Sequence, residues 1–181
     1  MKQVNTYISL LRGINVSGQK KIRMEELKEL YESLGYSSVT TYIQSGNVVF
    51  DACGRGLDGQ IEASIKNHFG YSVPVLVRGK EEFRTILDNN PFINDRNEDI
   101  SSLHVVFLSQ QPDPAVLEKL AQVESGADEY YVKGSEIYLY CPNGYGRTKL
   151  SNTVIEKKLQ LKATTRNWKT VNKLYEIALS T

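Results

Sequence analysis

Thr41-Tyr42-Ile43-Gln44-Ser45-Gly46-Asn47-Val48-Val49-Phe50 is the stretch on which the fold turns. Two runs rich in β-branched and aromatic residues, Ser38–Ile43 and Asn47–Ala52, flank Gln44-Ser45-Gly46, which is the pattern of a β-hairpin. Upstream, Met24, Leu27, Leu30, Tyr31 and Leu34 recur at helical spacing, and Gly35 supplies a stop. Before that helix, Gln3–Leu11 reads as a strand. Downstream, Leu57, Ile61, Ile65 and Phe69 stripe a second helix that ends at Gly70, and Val73–Val77 is a short buried strand. The order is strand, helix, strand, strand, helix, strand.

A linking helix is predicted over Glu81–Asn89, closed by Asn90-Pro91, and then the order starts again. Leu103–Leu108 is a strand, Val116–Val123 a helix opened by Pro112-Asp113-Pro114, and Glu129–Lys133 with Glu136–Cys141 a hairpin around Gly134. Leu150, Val154, Ile155 and Leu159 mark a helix that Thr148 is placed to cap. Leu161–Thr165 completes the set, and Trp168, Val171, Leu174, Tyr175 and Ala178 mark a closing helix capped by Asn167 or Thr165. Gly46 to Cys53 and Gly134 to Cys141 share one offset in the two hairpins. Two tandem βαββαβ units predict an α+β fold of duplicated ferredoxin-like type with an extra C-terminal helix. The expected boundaries are 1–79 for the first unit, 80–100 for the linking helix and loop, and 101–181 for the second unit with the closing helix.

Composition excludes several classes. Among 181 residues, 40% are hydrophobic and 24% charged, the balance of a folded chain rather than a disordered one. Two cysteines without CxxC spacing and two histidines exclude a disulfide framework and a metal-binding cluster, so no metal and no cofactor is expected. No run of about 18 apolar residues is present and the N-terminus lacks a signal-peptide core, which predicts a cytoplasmic protein without membrane association. The net charge of +1 speaks against holding nucleic acid by bulk charge. That total conceals asymmetry, since residues 91–142 carry −6 and residues 143–181 carry +6.

The halves differ most in the connection from first strand to first helix. Ser109 to Pro112 is four residues, whereas Arg12 to Ile22 is eleven. A connection longer than the topology requires points to function. Its sequence, Arg12-Gly13-Ile14-Asn15-Val16-Ser17-Gly18-Gln19-Lys20-Lys21, has glycines that can turn amides toward an anion, beside cations and a helix start. It misses the phosphate-loop pattern, because Gln19 parts Gly18 from Lys20 and neither Ser nor Thr follows the lysine. Pro142-Asn143-Gly144-Tyr145-Gly146-Arg147-Thr148-Lys149-Leu150 again leads from strand to helix and sets two cations beside backbone donors. Arg166, before the last helix, has no evident helical partner.

Tyr130, Tyr131, Tyr138 and Tyr140 crowd one hairpin, inviting comparison with RNA-recognition sheets. The stacking positions after Lys133-Gly134 hold Ser135 and Ile137, so nucleic acid is disfavoured as a partner. His68 and His104 have no suggestive nucleophile or carboxylate neighbour in sequence.

Leu11-Arg12-Gly13-Ile14-Asn15-Val16, Thr41 to Phe50, and Thr165-Arg166-Asn167-Trp168-Lys169-Thr170-Val171 together resemble a widespread bacterial family of unknown function with "LRGINVGG" and "YIQSGNV" signatures. Ser17 stands where that signature has glycine. The resemblance implies two ferredoxin-like units in a small cytoplasmic protein and brings no substrate, cofactor or catalytic residue. The expected function is binding of an anionic or phosphate-bearing ligand in a cleft formed by the signature loops. Its expected lining is Arg12, Gly13, Asn15, Lys20, Gln44, Ser45, Asn47, Arg147, Lys149 and Arg166. Two alternatives stay open: an enzyme of unknown reaction using the same polar cleft, or a protein-interaction module using the tyrosine hairpin. Catalytic residues and oligomeric state are not readable from the sequence.

Overall fold

The computed structural model describes residues 3–181. The chain divides into two compact units, residues 1–84 with 173–181, and residues 85–172. Residues 173–181, which the sequence assigns to the second unit, group with the first.

In the first unit, β1 (Asn5–Leu11), α1 (Met24–Ser33), β2 (Ser37–Tyr42), β3 (Asn47–Ala52), α2 (Leu57–Phe69) and β4 (Val75–Gly79) follow in the predicted order. The sheet runs β2-β3-β1-β4 with every neighbour antiparallel. Strand alternation turns Tyr7, Ser9 and Leu11 to one face, where Leu11, Val48, Phe50 and Val75 meet Leu27, Leu30 and Tyr31 of α1 and Ile61 and Ile65 of α2. Phe50 stacks on Tyr36 at 4.8 Å between centroids and meets the edge of Tyr31 at 5.2 Å. The Tyr31 hydroxyl is fully buried, and a 2.7 Å hydrogen bond with Ser9 Oγ satisfies both groups. Left unpaired there, either hydroxyl would cost about 1–3 kcal/mol.

In the second unit, α4 (Pro91–Asn94) precedes β5 (Leu103–Leu108), α5 (Pro114–Ala121), β6 (Glu129–Lys133), β7 (Glu136–Tyr140), α6 (Asn152–Leu159) and β8 (Ala163–Asn167). Its sheet order, β6-β7-β5-β8, is again antiparallel throughout. Val106, Leu108, Ile137, Leu139 and Cys141 face Leu120 of α5 and Ile155 and Leu159 of α6. The tyrosine hairpin is mostly spent internally. Tyr138 is buried and donates to the Ile86 carbonyl at 2.7 Å, while Tyr140 and Tyr131 flank Phe92 at 5.7 and 5.2 Å. Arg96 forks onto Glu129 and lies over the Phe92 and Tyr140 rings, closing the linker against β6 and β7. Only Tyr131 of the four remains substantially exposed, at 45%.

The two units match at the level of single hydrogen bonds. Leu11 N donates to Gly46 O at 2.8 Å, and Leu108 N to Ser135 O at 2.8 Å. Arg12 N donates to Pro74 O at 2.9 Å, and Ser109 N to Lys162 O at 2.9 Å. Glu62 of α2 accepts from Val75 N, and Glu156 of α6 accepts from Ala163 N, each at the head of the last strand. The correspondence pairs Gly46 with Ser135 and Ala52 with Cys141, one residue off the glycine–cysteine offset seen in sequence. Loop length is the reason: β2 and β3 are joined by four residues, β6 and β7 by two. After β4 comes α3 (Lys80–Asp88), and after β8 comes α7 (Trp168–Leu179). Linking helix and closing helix therefore hold the same place in the element order, each directly after the last strand of a sheet.

Thr148 does not cap α6. Its hydroxyl accepts from Leu150 N at the end of a 3-10 turn over Tyr145–Arg147, and Ser151 Oγ caps the helix through Val154 N. Asn167 caps α7 by accepting from Thr170 N at 2.8 Å.

Candidate functional site

The connection from β1 to α1 is built on an unusual backbone. Gly13, Asn15, Ser17, Gly18 and Lys20 all have φ between +45° and +75°. For a residue with a Cβ this conformation costs roughly 1–2 kcal/mol, so Asn15, Ser17 and Lys20 must be held there by other contacts. Ser17 takes the left-handed conformation although it carries a Cβ. Ser17 and Gly18 are the centre of a turn in which Gln19 N donates to Val16 O at 2.9 Å, with both central φ values positive as in a type I′ turn.

Asn15 is the clamp. Its Oδ1 accepts from Ile22 N, and its Nδ2 donates both to Ile22 O and to Gln44 O, each at 2.9 Å. Its own N–H reaches Lys20 O at 3.2 Å. One side chain thus closes the loop on itself and ties it to the tip of the β2–β3 hairpin. Lys20 adds a second tie by donating from Nζ to Ser72 O at 2.7 Å, which leaves two of its three ammonium protons for other acceptors.

Gly46 makes that tip fit. Its φ is +82°, and a Cβ there would lie 2.7 Å from Leu11 Cβ and 2.8 Å from Ile14 Cδ1. Asn47, fully buried, donates from Nδ2 to Tyr42 O and to Ser45 Oγ, both at 2.9 Å, and so fixes the turn from inside. Ile43 stands at φ +49° and is 49% exposed. A β-branched residue in that region is an outlier whose strain is worth about 1–3 kcal/mol, and outliers of this kind cluster at functional surfaces.

Arg12, Gly13, Asn15, Lys20, Gln44, Ser45 and Asn47 therefore meet in one structure at the end of β1. Their parts differ. Asn15, Ser45 and Asn47 use polar atoms to hold the backbone, Arg12 is half-buried, and Gln44 is exposed. Between Arg12 and Arg23 there is no acidic residue and there are four cations, Arg12, Lys20, Lys21 and Arg23. The start of α1 itself is unsuited to an anion, because Glu25 and Glu26 occupy its first turn and Glu26 pairs with Arg23 at 2.6 Å. The loop, unlike the first turn of α1, carries no acidic residue.

In the second unit, Arg147 and Lys149 line an open depression of about 380 Å³ with Glu124, Asp128, Ser125 and Asn143. Its mixed charge differs from the acid-free first loop. Arg166 lies buried in β8, donating from Nη1 to Thr164 Oγ1 at 2.8 Å and Thr165 O at 2.9 Å. Arg78 holds the corresponding place in β4, also buried, with Nη1 on Val77 O at 3.2 Å. The sequence signal for that pairing was available, since Val77-Arg78-Gly79 and Thr165-Arg166-Asn167 each run directly into a helix. Burial and the nearby Asp128 charge push the Cys141 thiol up to about 11, so it stays protonated and unreactive at neutral pH. Among the described residues no group of three or more His, Cys, Asp and Glu side chains is gathered as for a metal ion, and no helix is long and apolar enough to cross a membrane.

Two similar units, each an antiparallel four-stranded sheet with helices, and a clamped glycine-bearing loop on the first, define an α+β protein with one elaborated end. The chain belongs to the family described as Protein of unknown function (DUF1697), which matches residues 4–138 and so includes the whole loop and hairpin tip. Among solved structures it is similar to the conserved bacterial protein SP0830 from Streptococcus pneumoniae, with 26% identity and a TM-score of 0.79 over 97% of this chain and 99% of that one. No curated protein matches.

Proposed function

We propose that the β1–α1 loop of the first unit binds an anionic, phosphate-bearing ligand. The observation that carries this reading is the five left-handed residues among residues 13–20, held by the Asn15 clamp. Left-handed residues set among right-handed ones can turn neighbouring N–H groups into a concavity suited to an anion, and of the loop's N–H groups those of Asn15 and Gln19 are already used within it. A loop already ordered loses little entropy when it binds, so modest contacts suffice. Arg12, Lys20 and Lys21 supply the positive charge, and Gly13 keeps the backbone open beside them. In the same reading, Arg147, Lys149 and Arg166 are cations of the second unit that would serve a ligand held by that unit itself, each unit is ferredoxin-like, the pair arose by duplication, and the protein works in the cytoplasm.

Thermal unfolding with inorganic pyrophosphate is the direct test. At a hundredfold excess over Kd the native state gains about 2.7 kcal/mol, a rise of several degrees in Tm. Replacing Arg12 to Arg23 by the second unit's short connection, Ser109 to Asp113, abolishes the rise. Arg147→Ala and Lys149→Ala variants report whether the second unit contributes. Absence of any shift with millimolar pyrophosphate at low salt overturns the reading.

A further inference from the structure

The loop carries something an inorganic anion does not need. Asn15 Nδ2 donates to Gln44 O at 2.9 Å, which brings residues 15 and 44 into contact. The residues flanking that bond, Val16 and Ile43, are two of the few large apolar side chains the molecule leaves in solvent, 59% and 49% exposed. Neither is there by default. Val16 belongs to a turn with two left-handed central residues, and Ile43 is itself a β-branched residue held at φ +49°. Glycine or asparagine would suit position 43 better on conformational grounds alone. An aliphatic side chain kept outward at that cost has a use at the surface. Beside it, the Gln44 side chain is exposed and offers one amide acceptor and two donors.

Resting on the anion-binding reading of the same loop, we infer that its ligand is a nucleoside phosphate. The phosphate is held by loop N–H groups other than those of Asn15 and Gln19, and by the Arg12, Lys20 and Lys21 charges. The flat base lies on the aliphatic platform of Val16 and Ile43, and its polar edge is read by Gln44. Charge complementarity favours this occupant: no carboxylate lies between Arg12 and Arg23 and no charged residue at all between Thr40 and Phe50, so a polyanion meets no repulsion on either segment. A flat heteroaromatic ring, apolar on its faces and polar at its rim, matches two aliphatic groups beside one amide.

Titration calorimetry of the intact protein with pyrophosphate, the four common nucleoside diphosphates and adenosine separates the terms. The expected result is that at least one diphosphate binds tenfold or more tightly than pyrophosphate, and that adenosine binds weakly. Ile43→Ser and Val16→Ser, both at exposed positions, bring that preference close to one. Gln44→Ala changes the ranking among the bases. If pyrophosphate binds as tightly as every nucleotide, the base platform is refuted while anion binding stands. If nothing binds, both readings fall. If a single-stranded oligonucleotide or a vesicle of anionic lipid binds while mononucleotides do not, the nucleoside phosphate is the wrong occupant.

Discussion

The two units solve the same geometric problem at the end of their first strand and solve it differently. In both, the strand end is gripped from either side, Leu11 and Arg12 by Gly46 and Pro74, Leu108 and Ser109 by Ser135 and Lys162. The second unit then turns directly into α5, with Ser109 Oγ accepting from Lys162 N at 3.2 Å and Asp113 capping the helix through Ala115 N. The first unit instead inserts a long loop, strains three of its residues, Asn15, Ser17 and Lys20, and secures it with Asn15, Lys20 and a hairpin glycine. Since the short connection is enough for the fold, the long one is not there for stability. The left-handed strain at Asn15, Ser17 and Lys20 is what sets this connection apart from its counterpart.

The sharpest way to break this comparison is at the matched pair Gly46 and Ser135. Gly46→Ala places a Cβ within 2.8 Å of Leu11 and Ile14 and forces a side chain into φ +82°. Overpacking and left-handed strain together cost about 3 kcal/mol. Ser135→Ala changes stability by no more than about 0.5 kcal/mol, the usual range for an ordinary surface position. Urea unfolding of the two variants checks this, and equal losses would show that the first hairpin is no more constrained than the second.

Asn15 comes next. Asn15→Ala removes three side-chain hydrogen bonds at once and frees a strained backbone, a loss of about 2 kcal/mol at roughly 1 kcal/mol or less for each partly exposed bond. Amide exchange should accelerate at Ile22, whose N–H then has no acceptor in the side chain of residue 15. In the second unit, exchange at Leu108 and Ser109 stays as in the parent protein. Uniform acceleration through both units would mean that the clamp supports the whole fold instead of one loop.

Ser17→Gly acts in the opposite direction. Ser17 holds φ +50° in an exposed turn, and glycine occupies that region without the Cβ penalty. Part of the gain is offset by the greater freedom of the unfolded chain, which leaves a stabilisation of about 0.5–1 kcal/mol, read as a higher denaturation midpoint. A drop in stability would show that the serine side chain holds the turn.

How much of this could be read in advance depends on the range of the interactions. Local signals carried the element order: the helical spacing of Met24, Leu27, Leu30 and Tyr31 produces α1, and the Leu57–Phe69 helix begins and ends where its stripe and Gly70 put it. The loop's composition marked the right segment, but not its workings. Asn15 reaches Gln44 across 29 residues, and the need for glycine at position 46 comes from Leu11 and Ile14, contacts that no local pattern encodes. The equivalence of α3 and α7 was hidden for a different reason. Their sequences share little beyond apolar periodicity and the arginine one residue before the end of the preceding strand, a short signal that the register of Ile8 with Arg78 and of Val105 with Arg166 makes plain. Thr148 misled because a 3-10 turn intervenes, moving the cap three residues on to Ser151.

The smallest expected effect concerns His104, which holds in β5 the place that Tyr7 holds in β1. Tyr7 lies 6.0 Å from Phe50, and His104 stacks on Tyr145 at 4.8 Å, with its buried Nδ1 lacking a hydrogen-bond partner. Burial pushes its pKa below the ordinary histidine value near 6.5, only partly offset by a backbone hydrogen bond to Ser102. A base whose pKa is lowered on folding is neutral in both states above its unfolded value. As pH falls below that value, the unfolded chain takes up the proton first, so stability drops until the folded-state pKa is reached. His104→Tyr, which installs the first unit's residue, removes this component. Unfolding midpoints of parent and variant should therefore differ by a constant above pH 7 and shift in the variant's favour toward pH 5. Parallel curves across that range would mean that the second unit tolerates a charged imidazole where it packs against Tyr145.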